Sequence, residues 1–274
     1  MHIGLRTAIN TKFITAAGLF LLLASSQPAK ATIIIDAFST SSNANVTITD
    51  PGLLPITFTP NGVATASAIG GARIMGSYVT EGSEEDQYRL RVSNATGKAS
   101  VETSALVVGK GMITYNGTTN AVTTLTGGNF NAPAAFNLNG GLGYDLTEGG
   151  ANATFIINGY ADNNGIPMIV TVWTDATHYA RGTLNMPGST NGLLVSHFLH
   201  FSDFVVTGGG SVTSVLASAK AITLELNGTN PSVTPGTDVV LDYFIATAIP
   251  EPASFALMGG SLLAFGLIRR RVKR

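Results

Sequence analysis

The sequence predicts an all-β body, a sandwich or a barrel, with an apolar helix at each end of the chain. Three observations carry this. Apolar and polar residues alternate with period two through most of residues 32–248, the signature of half-buried strands. Glycine pairs and triplets punctuate the body at Gly70-Gly71, Gly127-Gly128, Gly140-Gly141, Gly149-Gly150 and Gly208-Gly209-Gly210. Turn signals at this density suit many short strands. No segment of the body keeps an amphipathic helical period for three turns.

Taken in order, the strand-like runs are Thr32–Phe38, Val63–Ile69, Gln87–Ser93, Val101–Val108 and Met112–Tyr115. In Gln87–Ser93, Tyr88, Leu90 and Val92 share one face, and Gln87, Arg89 and Arg91 the other. Asn116–Pro133 is rich in Asn, Thr and Gly and reads as a long loop. Ala153–Ala161 and Ile166–Thr174 flank Asp162-Asn163-Asn164-Gly165, a short loop ending in Asn-Gly that predicts a hairpin. His178–Met186, Val195–Phe201, Ala221–Leu226 and Val239–Ala246 complete the set, with a loop at Asn230–Gly236.

The two ends follow a different logic. Arg6 and Lys12 precede the apolar run Phe13–Ala24, and Ala29-Lys30-Ala31 is a small-residue cleavage site. That order predicts a signal peptide over residues 1–31, read by the Sec machinery and cut by signal peptidase at Ala29 and Ala31. The tail, residues 249–274, begins with Pro250, Glu251 and Pro252. Ala253–Ile268 then runs for 16 residues without a charge, and Arg269, Arg270, Arg271, Lys273 and Arg274 follow. A helix of that length is about 24 Å long at 1.5 Å per residue, just short of the ~17–25 residues that usually span a bilayer. The cations predict a stop on the cytoplasmic side, leaving residues 32–248 outside as the exported body.

A cleavable signal, an exported body, and a Pro-Glu-Pro motif followed by an apolar helix and an Arg-rich end resemble the PEP-CTERM proteins of Gram-negative bacteria. Ile249 stands where that family often has valine. The resemblance implies an exosortase as partner and recognition at Pro250, Glu251 and Pro252. It further implies an inner-membrane intermediate held by the tail, then a place at the cell surface or in an exopolysaccharide matrix. Within the body, Gly71–Ser77, Gly141–Glu148, Phe201–Phe204 and Asp242–Ile245 are similar to elements of jelly-roll domains related to carbohydrate-binding modules. This narrows the expected fold to a jelly-roll-like β-sandwich.

Charge separates body from ends. Of 15 Lys and Arg, three lie in the signal and five in the tail, leaving seven in the body; of 16 Asp and Glu, 15 are in the body, which is therefore near −8. An acidic body argues against a nucleic-acid partner. With no cysteine, it relies on its core, or on a bound metal, rather than on disulfides.

Catalytic signatures such as a nucleophile elbow, a P-loop or a zinc-protease motif are absent, and the chain reads as a non-enzyme without an organic cofactor. Glu81, Glu84, Glu85 and Asp86 form the densest acidic cluster and are the candidate structural calcium site, since calcium takes carboxylate oxygens. His197 and His200, at odd separation on a strand, fall on opposite faces. Trp173 and Tyr179 are the candidates for stacking on a sugar ring of an exopolysaccharide. The alternative for Trp173 is packing under a loop or in a second core layer. A purely structural or adhesive matrix protein without a glycan site is the rival function, and a polysaccharide-acting enzyme the third.

Overall fold

The computed structural model describes residues 32–119, 141–162, 165–175, 177–189, 191–227 and 238–248, the side chains of 56–61 excepted. The signal segment and the tail from residue 249 lie outside the described residues, as does most of the predicted loop after Asn116. In chain order the strands are β1 (Ile33–Asp36), β2 (Ser42–Thr47), β3 (Ile56–Ala64), β4 (Ala72–Glu81), β5 (Gln87–Ser93), β6 (Lys98–Thr103) and β7 (Val108–Tyr115). They continue as β8 (Thr154–Ala161), β9 (Ile166–Trp173), β10 (Tyr179–Met186), β11 (Val195–His200), β12 (Val205–Thr207), β13 (Ala221–Leu226) and β14 (Val239–Thr247), with a short α-helix among the described residues, α1 (Val212–Leu216), before β13.

Two seven-stranded antiparallel sheets form a sandwich. Sheet A runs β11-β8-β14-β6-β5-β2, with β1 also pairing β14; sheet B runs β12-β10-β9-β13-β7-β4-β3. The chain passes repeatedly from one sheet to the other, as in a jelly roll. Period two explains the core. Tyr88, Leu90 and Val92 of β5 are buried while Arg89 and Arg91 are exposed. From sheet A, Val101, Phe155, Ile157, Leu241 and Phe244 meet Met75, Ile113, Met168, Val170, Val172, Ile222 and Leu224 of sheet B. Phe155 lies at the centre of an aromatic group, with ring centroids of Phe201, Phe244 and Phe204 at 5.0, 5.3 and 5.7 Å, all tilted. Tyr88 reaches across the interface onto β7, where a Cβ on Gly109 or Gly111 would stand 2.8 Å from its side chain. The glycines make room for the ring.

One buried ion pair also joins the sheets. Arg73 Nη1 of β4 lies 2.6 Å from Asp36 Oδ2 of β1, both side chains fully buried. Arg73 further donates to Thr40 O and to Ser42 Oγ, while Asp36 Oδ1 accepts from Phe38 N–H at 2.7 Å. Burial raises the Asp36 carboxyl above its ordinary range, against the opposing pull of the guanidinium.

Several expectations require correction. The predicted hairpin at Asp162–Gly165 is not one: β8 pairs β11 and β14 in sheet A, whereas β9 pairs β10 and β13 in sheet B. The backbone there is held by Asp238, whose N–H donates to Asp162 Oδ1 and whose carbonyl accepts from Asp162 N–H, so the chain crosses between sheets. Val101–Val108 divides between β6 and β7, and Val63–Ile69 falls at the end of β3 and in a 3-10 turn. β2, β4, β12, α1 and most of β3 have no counterpart among the strand-like runs, although Gly71–Ser77, given above by resemblance, overlaps β4.

Candidate functional site

The outer faces of the two sheets differ. On sheet A, pairing registers align Asn43 of β2, Arg91 of β5, Ser100 of β6, Val240 of β14 and Tyr160 of β8 in one cross-strand row. Beside it runs a second row, Asn45, Arg89 and Glu102. Because every second residue of a strand points outward, these side chains share one surface. All but Arg89 line an open groove of about 690 Å³, with Lys98, Ser93 and Thr96 at the β5–β6 end and Gly192 beside Tyr160. Arg91 is ion-paired to Glu102 and donates to Ser100 Oγ at 3.3 Å; Arg89 Nη1 stands 3.9 Å from Glu102. Two cations, Arg91 and Lys98, line the groove against the single carboxylate of Glu102, and Arg89 stands beside it on β5. The groove is thus cationic on an acidic body. It presents amide, hydroxyl and guanidinium donors around one aromatic ring.

Sheet B is closed on its outer side over its central strands β7, β13 and β9, while Thr183 and Asn185 of β10 are exposed. Thr114, Thr223 and Thr171 are register partners on β7, β13 and β9, and all three are buried. Their hydroxyls have no hydrogen-bond partner among the described residues, nor have the carboxylate oxygens of buried Glu225. Arg181 Nη2 approaches Glu225 at 3.8 Å. Burial raises the Glu225 carboxyl, with Arg181 and Lys110 opposing. Burial likewise lowers the Lys110 ammonium, while Glu225 pulls it back up.

Trp173 belongs to this closed face, and the stacking expectation fails on it. Its ring is fully buried and packs on Tyr179, with centroids 4.6 Å apart and planes tilted 41°. A ring without an exposed face has nothing to offer a pyranose; Trp173 and Tyr179, paired in register, form a second apolar layer. The acidic cluster expected to hold calcium does not converge on one point. Glu81, Glu84 and Glu85 are exposed, and Asp86 is occupied in turn geometry, its Oδ2 accepting from Ser83 N–H at 2.8 Å. Among the described residues no three His, Asp or Glu side chains converge on a point that could hold an ion. His197 and His200 are both half-buried, and burial lowers His197.

The tail supplies the other site. Residues 248–271 match the family described as the PEP-CTERM protein-sorting motif. The chain carries a PEP-CTERM sorting tail. The motif takes in Pro250, Glu251, Pro252, the whole apolar run and Arg269–Arg271, and implies recognition by an exosortase and export through a membrane-anchored intermediate. These residues lie outside the described ones. Among the described residues no helix is long and apolar enough to cross a membrane.

No curated protein matches the chain. Among solved structures, it is similar to the family 11 carbohydrate-binding module of a cellulosomal cellulase of Clostridium thermocellum, at 11% identity and TM-score 0.34, over 82% of this chain and 99% of that one. The family 11 module from Clostridium thermocellum in complex with a β-1,3-1,4-mixed-linked tetrasaccharide gives 11% identity and TM-score 0.35, over 82% and 100%. PfGH50B gives 9% identity and TM-score 0.35, over 58% of this chain and 21% of the length of PfGH50B.

Proposed function

We propose that the PEP-CTERM chain is exported through Sec, trimmed by signal peptidase after Ala31, and sorted by an exosortase to the surface or extracellular matrix of a Gram-negative cell, where its body binds an acidic exopolysaccharide. The observation that carries the binding role is the cationic groove on sheet A. A groove open along its length admits the interior of a polymer, not only its end. Arg91 and Lys98 supply charge for uronate or sulfate groups, Asn43, Asn45 and Ser100 supply hydroxyl partners, and Tyr160 supplies an apolar ring edge. The role is binding rather than catalysis: glycosidases use two carboxylates flanking the scissile bond, and the groove lining has one, tied to Arg91.

Affinity electrophoresis of the body against acidic and neutral polysaccharides tests this. Retardation by acidic polymers is expected, weakened by salt and lost in Arg91→Ala with Lys98→Ala. Equal retardation by neutral polymers, or none by acidic ones, refutes the acidic-glycan reading and leaves the structural-protein alternative. Comparing the chain's size and location with and without the exosortase tests the sorting role. A tail that stays uncut and membrane-bound in both strains would refute it.

A further inference from the structure

The same outer face of sheet A changes character toward the end of β14. Pairing registers align Ile34 of β1, Ile245 of β14, Ile156 of β8 and Phe198 of β11 in one row. Ile34 is 55% and Phe198 47% exposed, and Ile245 and Ile156 are half-buried. At about 4.8 Å between strands this is an apolar stripe roughly 14 Å across. Both flanking rows are uncharged by carboxylates. On one side Tyr243, Asn158 and Ser196 are linked by hydrogen bonds of 3.1 and 3.3 Å; on the other lie Thr247, Thr154 and His200. On a body with 15 acidic residues these rows carry no carboxylate, the nearest being Asp242 beside Tyr243 and Asp203, which accepts from His200 N–H at 3.2 Å.

We infer that this stripe rests on the surface of the lipid bilayer while the tail is uncut. Chain length argues for that occupant. Only seven residues separate Ile245 from Ala253, where the 16-residue apolar run begins. Even fully extended, that linker reaches no more than about 29 Å, so the membrane is the one apolar surface always within reach of the stripe. A second copy is the weaker fit, because four side chains fall far short of the ~800 Å² per partner of a standard interface. The groove row crosses β14 at Val240, roughly 17 Å along the strand from Ile245. Docking by the stripe therefore turns the groove, which lies on the same face, toward the bilayer as well, and leaves the outer face of sheet B pointing away from it.

The inference rests on the tail being a membrane segment, and the test separates the two. The chain has no cysteine, so single labels are unique. Full-length chain carrying an apolar fluorophore at Phe198→Cys, Thr183→Cys on the outer face of sheet B, or Ser261→Cys is reconstituted in phosphatidylethanolamine–phosphatidylglycerol vesicles containing nitroxide-labelled lipid. Quenching is expected at 261 and 198, not at 183, and quenching at 198 is lost when Ile34→Asp is added. Quenching at 261 without quenching at 198 overturns the docking and spares the tail reading. No quenching at 261 overturns both. Protection of the 198 probe only at high protein concentration, or only when exosortase is present, assigns the stripe to a protein partner and likewise overturns it.

Discussion

Replacing Asp36 by Asn keeps the shape of the side chain and an acceptor for Phe38 N–H but removes the charge facing Arg73. The guanidinium stays fully buried, with Thr40 O and Ser42 Oγ as its remaining acceptors. Removing one partner of a buried ion pair costs about 3–5 kcal/mol, because the other charge is left uncompensated in a low dielectric. For a domain of this size 1 kcal/mol shifts Tm by about 2–4 °C, so a drop of about 6–20 °C is expected. The pair as a whole should contribute far less. Burial raises the Asp36 carboxyl despite a guanidinium at 2.6 Å, so desolvation outweighs attraction. An Asp36→Leu, Arg73→Met double variant should therefore recover most of the loss. The pH sign follows from the same shift. A carboxyl raised above 3.8 in the folded state stabilises most below 3.8, and that contribution fades as pH rises through the folded value. Urea unfolding of the wild type, Asp36→Asn, Asp36→Leu, Arg73→Met and the double variant, repeated across acidic pH, measures all three effects. Single variants that lose less than about 1 kcal/mol, the scale of an exposed pair, would refute the reasoning, as would a double variant as unstable as the sum of the singles.

Gly165→Ala should lower stability by about 1–3 kcal/mol, the scale of a strained backbone, because φ there is 79° and a Cβ would meet Met186 O at 2.1 Å; thermal melts followed by circular dichroism check it. Phe155→Ala should cost about 3–5 kcal/mol, since three neighbouring rings lose their common partner; calorimetry reads the loss. The Asp175 carboxyl, lowered to about 2 chiefly by the Thr177 N–H and also by the Thr177 hydroxyl and His178, should titrate there in carbon-detected NMR. Its contribution to stability is then present above 3.8 and lost as pH falls through about 2.

The sorting tail was the most legible part of the chain, because each of its parts is a contiguous composition signal: prolines, an apolar run, terminal cations. Strands were legible where one face is apolar throughout, as in β5 with Tyr88, Leu90 and Val92. β2 escaped notice because it reads SNANVT, with only Ala44 and Val46 turned inward. β4 escaped because buried Arg73 and Ser77 interrupt its inner face, and their partners Asp36, Thr40 and Ala44 are distant in sequence. The Asn-Gly turn misled for a similar reason: local turn chemistry does not say to which sheet the next strand goes. The groove was illegible because it is a register property. Asn43, Arg91, Ser100, Val240 and Tyr160 span most of the body and meet only through four strand pairings. Trp173 drew attention by residue type alone, and type does not report whether an outward face is covered.

β14 carries both the groove row and the apolar row, and its sequence alone would not allow it. Val240 and Ile245 are an odd number of residues apart, so on a regular strand they would face opposite ways. Strict alternation from Val240 would also turn Phe244 out of the core. The register with β8 slips between Leu241 and Tyr243, where Asp242 is an extra residue without a partner. That bulge resets the alternation. Leu241 and Phe244 both remain in the core, while Val240 stays with Arg91 and Tyr160, and Ile245 joins Ile34, Ile156 and Phe198. The bulge is what lets a single strand, immediately before the sorting tail, present a polar groove at one end and an apolar row at the other on the same surface.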